Sequence, residues 1–224
     1  MEYIHNTEQF QFHNTVVALG KFDGMHKGHQ LIFDELIQYK QLGYQAAVFS
    51  FDRPPLNMLK HKHMRVIYTT NEKIKLLARR GIDIYIEHPF TDEFSHLSPE
   101  DFVIKVLLEK TGMKVLVVGD DCGFGYKRQG NVELLERMSK EYDFKLIVIP
   151  KLELEGEIVS STRIRHLLSE GKVEEANRLM EDPFMICGSV VHGNHMGAEV
   201  LQMPTANQIP LEDKLLPPNG VYVS

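Results

Sequence analysis

Cysteine is scarce in this sequence: Cys122 and Cys187 are the two among 224 residues. Two thiols make no disulfide framework, which excludes a stapled secreted scaffold and makes a reducing cytosol the expected setting. Basic residues are outnumbered, with 25 Lys and Arg against 31 Asp and Glu and a net charge of −6. Non-specific duplex binding through a globally basic surface is therefore not expected. The opening Met1-Glu2-Tyr3-Ile4-His5-Asn6 has neither the basic nor the apolar stretch of a secretory leader. No apolar run approaches the ~18 residues of a membrane span. Neither a nucleic-acid nor a membrane partner is expected. Internal repeats and low-complexity tracts are missing as well. What is present, 43% hydrophobic and 25% charged residues, is an ordinary globular balance.

For the first 150 residues, short β-rich runs alternate with amphipathic ones. Strands are predicted over 16–19, 45–51, 82–86, 114–118 and 145–149. Helices are predicted over 29–41, 71–80, 98–111 and 132–141. Nearly every strand is followed by a helix, the pattern of parallel strands joined by crossovers. The fold class is thus α/β, an open doubly wound parallel sheet. After Pro150 the character changes. Helices over 160–169 and 173–180 follow, and from Phe184 onward the chain reads as β-like and loop-rich. The predicted domains are 1–183 and a short β-rich segment, 184–224. About 40 residues are too few for an independent core. That segment must lean on the first domain, pair with another chain, or be a truncated remnant.

The most informative stretch is Gly20-Lys21-Phe22-Asp23-Gly24-Met25-His26-Lys27-Gly28-His29, between the first predicted strand and its helix. In open α/β sheets, ligands bind at the carboxyl ends of strands. Gly20, Gly24 and Gly28 let backbone approach a bulky anion, and the helix start supplies aimed N–H groups. His26 and His29 can donate to phosphate oxygens, and Lys21 and Lys27 add positive charge. The spacing is neither a P-loop nor a dinucleotide fingerprint. A tight βα turn that happens to contain histidines is the plainer alternative. Two histidines three apart lack a third ligand, so no metal site is assigned.

A His-x-Gly-His after the first strand of such a domain resembles the nucleotidylyltransferase superfamily. The longer form, with Gly20, Phe22, Asp23 and Gly24, is similar to the bacterial FAD synthetases, which join an FMN adenylyltransferase domain to a riboflavin kinase domain. Three further stretches carry the resemblance in order along the chain: Phe49 to Pro55, Val117 to Gly125, and Ser160 to Arg165. It implies transfer of AMP from ATP to FMN, giving FAD and pyrophosphate, with Mg²⁺ arriving on ATP. His26, His29 and Arg165 are then the catalytic residues. Gly20, Phe22, Asp23, Gly24, Gly28, Asp121, Ser161 and Thr162 would hold ATP, and Phe51, Phe102 and Phe124 would pack the flavin. The bottom-up alternatives are an ordinary helix cap for Ser161-Thr162, a loop carboxylate for Asp121 and core packing for the phenylalanines. Two other functions also fit the residues: a nucleotidylyltransferase with another phosphorylated acceptor, and a flavin- or nucleotide-binding regulator without turnover.

The chain departs from the family pattern at Pro54, where many relatives have histidine, and at Cys122-Gly123, which replaces an aromatic and a long polar residue. These bear on flavin binding rather than on the phosphate machinery. The basic run from Lys60 to Arg65 is read as a solvated loop. In the tail, Gly188 to Gly193 and Pro204-Thr205-Ala206-Asn207 resemble the start of a riboflavin kinase barrel, with a degraded glycine-rich lead-in. Thr205 and Asn207 are then relics, and kinase activity is not expected.

Overall fold

Val16 and Ala18 pack into one apolar cluster, while Val17 and Leu19 pack into another. The strand they form is therefore buried on both faces, the environment of a central parallel strand. A computed structural model of the chain describes residues 1–52, 65–191 and 206–223. In it, β1 (Glu2–His5), β2 (Thr15–Leu19), β3 (Gln45–Phe51), β4 (Ile84–His88), β5 (Met113–Gly119) and β6 (Lys145–Ile149) form one sheet. Their order is β1-β4-β3-β2-β5-β6, and every pairing is parallel.

One face is covered by α1 (Lys27–Gln41), α2 (Thr70–Arg79), α4 (Ser161–Ser169) and α5 (Val173–Leu179), through residues such as Phe33, Leu36, Leu77 and Leu168. The other face is covered by α3 (Val132–Glu141) and by a helix that opens at Pro99–Asp101 and continues as a π-helix over Phe102–Lys110. The predicted doubly wound α/β architecture is what the structure shows. From β2 the chain winds outward through β3 to β4, then returns to place β5 on the opposite side of β2. The order reverses between β2 and β5, which opens a crevice beyond their carboxyl ends.

Several boundaries differ from the sequence reading. The first helix starts at Lys27 rather than 29, so Gly28 and His29 lie in its first turn and His26 is its N-cap. The strand expected over 82–86 is Ile84–His88, because Gly81 closes the preceding helix and Ile82 N–H turns back to Leu77 O. Edge strand β1 was not predicted. A small hairpin, β7 (Glu153–Leu154) and β8 (Glu157–Ile158), turns on Glu155 and Gly156, both left-handed as a two-residue turn demands.

Beyond Phe184 the described residues contain one antiparallel pair, β9 (Gly188–Val191) and β10 (Asn207–Pro210). Phe184, Met185 and Leu215 of this segment pack against the α1-side core. Pro54, the 60–64 part of the basic run, His192, Gly193, Pro204 and Thr205 lie outside the described residues.

Candidate active site

The turn after β2 is wound tightly, with Phe22 (φ 47°) and Met25 (φ 38°) both in the left-handed region. Such backbone is costly for non-glycine residues and persists where surroundings fix it. Here burial does so. Phe22 is 3% exposed, tilted against Phe33 and edge-on to His29. The His26 and His29 rings stack with centroids 3.6 Å apart and planes 18° apart. A Cβ at Gly28 would lie 3.2 Å from His26 Nδ1, so glycine leaves room for that ring.

Both Nδ1 atoms are buried and have no hydrogen-bond partner among the described residues. Burial pulls His26 down to about 4, partly offset by the Asp121 carboxylate. Burial, then the neighbouring His26, holds His29 well below its ordinary value. At neutral pH the free protein thus presents two neutral imidazoles. An unfolded His26 titrates near 6.5. Its contribution to stability is therefore complete above pH 6.5 and is lost as pH falls through about 4. By pH 5 the loss from His26 alone should be about 2 kcal/mol. Urea unfolding at pH 7 and pH 5 checks this: His26→Gln should show a smaller drop than wild type, and an equal drop would contradict the assignment.

Beside this turn lies a cavity of about 1040 Å³, reaching Gly20 beyond β2, Phe51 on β3, Gly119 on β5 and Ile149 on β6. It occupies the switch-point crevice. Among the predicted residues, Gly20, Phe22, His26, Gly28, His29, Asp121, Ser161, Thr162, Phe51, Phe102 and Phe124 line it.

Asp23, Gly24 and Arg165 are not among the described residues that line it. Asp23 is instead an internal anchor. Its Oδ1 accepts from the backbone N–H of Ile67 (2.9 Å) and Tyr68 (3.2 Å). Its Oδ2 pairs with Arg165, whose guanidinium also donates to Arg65 O. Asp23 O accepts from Ser161 Oγ at 2.5 Å. Opposite charges that satisfy each other within the scaffold need no ligand.

The cap of α4 is Ser160, whose Oγ accepts from Arg163 N–H at 3.2 Å. Ser161 is therefore not the ordinary cap considered from sequence; its hydroxyl ties α4 to the histidine turn. The Ser161 and Thr162 N–H groups of this first turn have no intrahelical partner and, with the helix dipole, favour an anion.

The phenylalanines form a connected wall: Phe51–Phe94 at 5.7 Å, Phe94–Phe102 at 5.8 Å and Phe102–Phe124 at 5.8 Å between centroids. Phe102 is 1% exposed and packs in the core, whereas Phe51 is half-buried. Phe90 and Phe94 also line the cavity and were missed. Their signal was an aromatic pair four apart around a short helix, Asp92–Ser95, capped by Thr91.

Arg128, also missed, lines the cavity from a turn in which Lys127 (φ 50°) and Arg128 (φ 58°) are both left-handed. Burial, then the Arg128 charge, lowers the pKa of Lys21 beside it. A Cβ at Gly123 would lie 2.8 Å from the Arg128 guanidinium, so the departure at this position makes room for that cation. Asp121 is exposed and pairs with Lys151 at 3.3 Å. Among the described residues, no group of three or more His, Cys, Asp or Glu side chains could hold a metal ion.

The FAD synthetase family model matches residues 8–163 of the chain. This chain belongs to the FAD synthetase family. A riboflavin kinase model matches residues 180–224. Relatives named bifunctional riboflavin kinase/FMN adenylyltransferase align over 98% of the chain. The protein of Buchnera aphidicola from Schizaphis graminum is 39% identical, and the chain covers 70% of it. That of Listeria monocytogenes is 36% identical with 71% covered, and that of Escherichia coli K12 is 32% identical with 70% covered. Among solved structures, a Streptococcus pneumoniae chain described as a macrolide-efflux protein superposes with TM-score 0.84 at 31% identity, over 98% of this chain and 72% of that one. No helix among the described residues is long and apolar enough to cross a membrane.

Proposed function

We propose that this chain is an FMN adenylyltransferase, transferring AMP from ATP to FMN to give FAD and pyrophosphate. One observation carries the reading: the stacked His26 and His29 share a single switch-point cavity with the first turn of α4 and an aromatic wall. A phosphate-binding end and a flat apolar surface are what the two substrates require. The family name and the names of the relatives support it.

The FMN phosphate is a monoester with a second pKa near ~6, already a dianion at neutral pH, so no general base is needed. One of its oxygens attacks the α-phosphorus of ATP. The bond from that phosphorus to the bridging α–β oxygen breaks, and pyrophosphate leaves with the electron pair. Charge crowding dominates the barrier, so positioned donors supply the catalysis. His26 and His29 donate to the polyphosphate. The Thr162 hydroxyl and the Ser161 and Thr162 N–H groups at the start of α4 hold it, and Lys21 and Arg128 offset its charge. Arg165 acts through Asp23, keeping the histidine turn in place. Mg²⁺ bound to ATP would be part of the substrate and would offset the phosphate charge.

The flavin ring lies against Phe51, Phe94 and Phe124. Phe94→Ala should weaken FMN binding about tenfold, an aromatic contact plus lost apolar area. Quenching of flavin fluorescence measures this, and unchanged affinity would move the ring elsewhere. The segment matched by the riboflavin kinase model, 180–224, contributes one antiparallel pair among the described residues, β9 and β10, and the activity proposed here is the adenylyl transfer alone. The two free cysteines, Cys122 and Cys187, suit a reducing cytoplasm.

Release of pyrophosphate from Mg-ATP tests the reaction class. It should depend on FMN and not occur with other phosphomonoesters. Release driven by another acceptor in place of FMN would reassign the substrate, and none with any acceptor would leave a binding protein.

A further inference from the structure

Lys214, in the segment that matches riboflavin kinase, has a fully buried side chain. Its ammonium donates to Ile67 O (2.5 Å), Glu72 Oε2 (2.7 Å) and Met185 O (2.6 Å), one acceptor for each of its three protons. The Glu72 carboxylate is equally committed. Its Oε2 also accepts from Thr69 N–H at 2.9 Å and its Oε1 from Cys187 N–H at 2.7 Å. A buried ion pair this fully satisfied fixes geometry more than it adds stability. What it fixes is the short stretch Ile67 to Thr69.

That stretch faces the histidine turn on its other side. The Ile67 C=O receives Lys214, while the Ile67 and Tyr68 N–H groups hold the Asp23 carboxylate. Asp23 in turn binds Arg165 and Ser161. The start of the segment matched by the riboflavin kinase model touches the turn directly, since Met180 forms an antiparallel bridge with His26. Tyr68 Oη then meets the carbonyls of Asp182 and Pro183, both at 3.3 Å.

We propose that Lys214 is a positioning residue for adenylyl transfer, so that the kinase-like segment is part of the transferase's scaffold. It acts through Ile67 and Tyr68 on Asp23, and through Asp23 on the turn that carries His26 and His29. The inference rests on the adenylyltransferase reading above.

The test is steady-state FAD formation by wild type, Lys214→Met, Asp23→Asn and their combination, with kcat and both KM values resolved. Lys214→Met should lower kcat about tenfold, the scale of a sub-ångström misplacement, with KM for FMN unchanged within about twofold. In the Asp23→Asn background the same change should add less than about threefold, because the Asp23–Arg165 link downstream of Lys214 is already broken. Glu72→Gln/Lys214→Met removes the charge that the single variant strands, so it should fold while kcat stays low. A folded Lys214 variant with wild-type kcat overturns the inference. So do independent, multiplicative losses with Asp23→Asn. Failure of both Lys214 variants to fold also overturns it, because the residue would then serve the fold alone. Absence of FAD from the wild-type chain is a different result, which overturns the adenylyltransferase reading and this inference with it.

Discussion

His29→Ala should lower kcat for FAD formation by about 10²–10³-fold, the cost of one preorganised donor at a developing charge. FMN affinity should stay within about twofold, because His29 contacts Phe22 and His26 rather than the phenylalanine wall. The size of the effect follows from the environment. The ring sits on the first turn of α1, with its Nδ1 buried and unpartnered among the described residues. In such a water-poor setting a donor to phosphate counts for far more than in solvent. His29→Asn retains an amide donor of similar reach and should recover about tenfold of the loss. Rapid-quench turnover, with flavin binding measured in parallel, separates the two quantities. A fall in kcat below tenfold, or a matching loss of flavin binding, would place His29 in another role.

Asp23→Ala should be the most destabilising of the site variants. It leaves the Arg165 guanidinium without its carboxylate and the Ile67 and Tyr68 N–H groups without an acceptor. Both side chains of the pair are largely shielded, 14% exposed for Asp23 and 21% for Arg165. Breaking one partner of such a pair costs about 3–5 kcal/mol, roughly 10 °C in Tm for a chain of this size. Turnover should fall with it, by about 10²-fold, because Arg165 and the Ile67–Tyr68 stretch lose the carboxylate that ties them to the histidine turn. Asp23→Asn keeps an oxygen acceptor and should fall between the two. Thermal unfolding alongside kinetics decides the point. A Tm and kcat both near wild type would show that the Asp23–Arg165 pair is incidental.

The strands were legible because β2, β3 and β5 are buried on both faces and therefore read as continuous apolar runs. Strand β1 was not, since it is a four-residue edge strand only half-buried, with no apolar run to announce it. The histidine turn was legible because its glycines and histidines are local in sequence. Its anchoring was not: Asp23 and Arg165 are 142 residues apart, and nothing in either segment says that they neutralise each other. The same holds for Lys214 and Glu72, also 142 apart, where a lone lysine in a loop-rich tail gives no hint of burial. Phe102, grouped with the flavin-packing residues, is nearly fully buried and still lines the cavity, so it serves the core and the cavity wall together. Pattern identifies what is adjacent in sequence; the tertiary pairings decide which side chains face the ligand and which hold those that do.

The most direct measurement is chromatographic. The purified chain is incubated with ATP and Mg²⁺, once with FMN and once with riboflavin, and the flavins are separated. The account predicts FAD from FMN and no product from riboflavin. FMN or FAD arising from riboflavin would contradict the assignment of these residues to adenylyl transfer alone, and an absence of FAD from FMN would contradict its central claim.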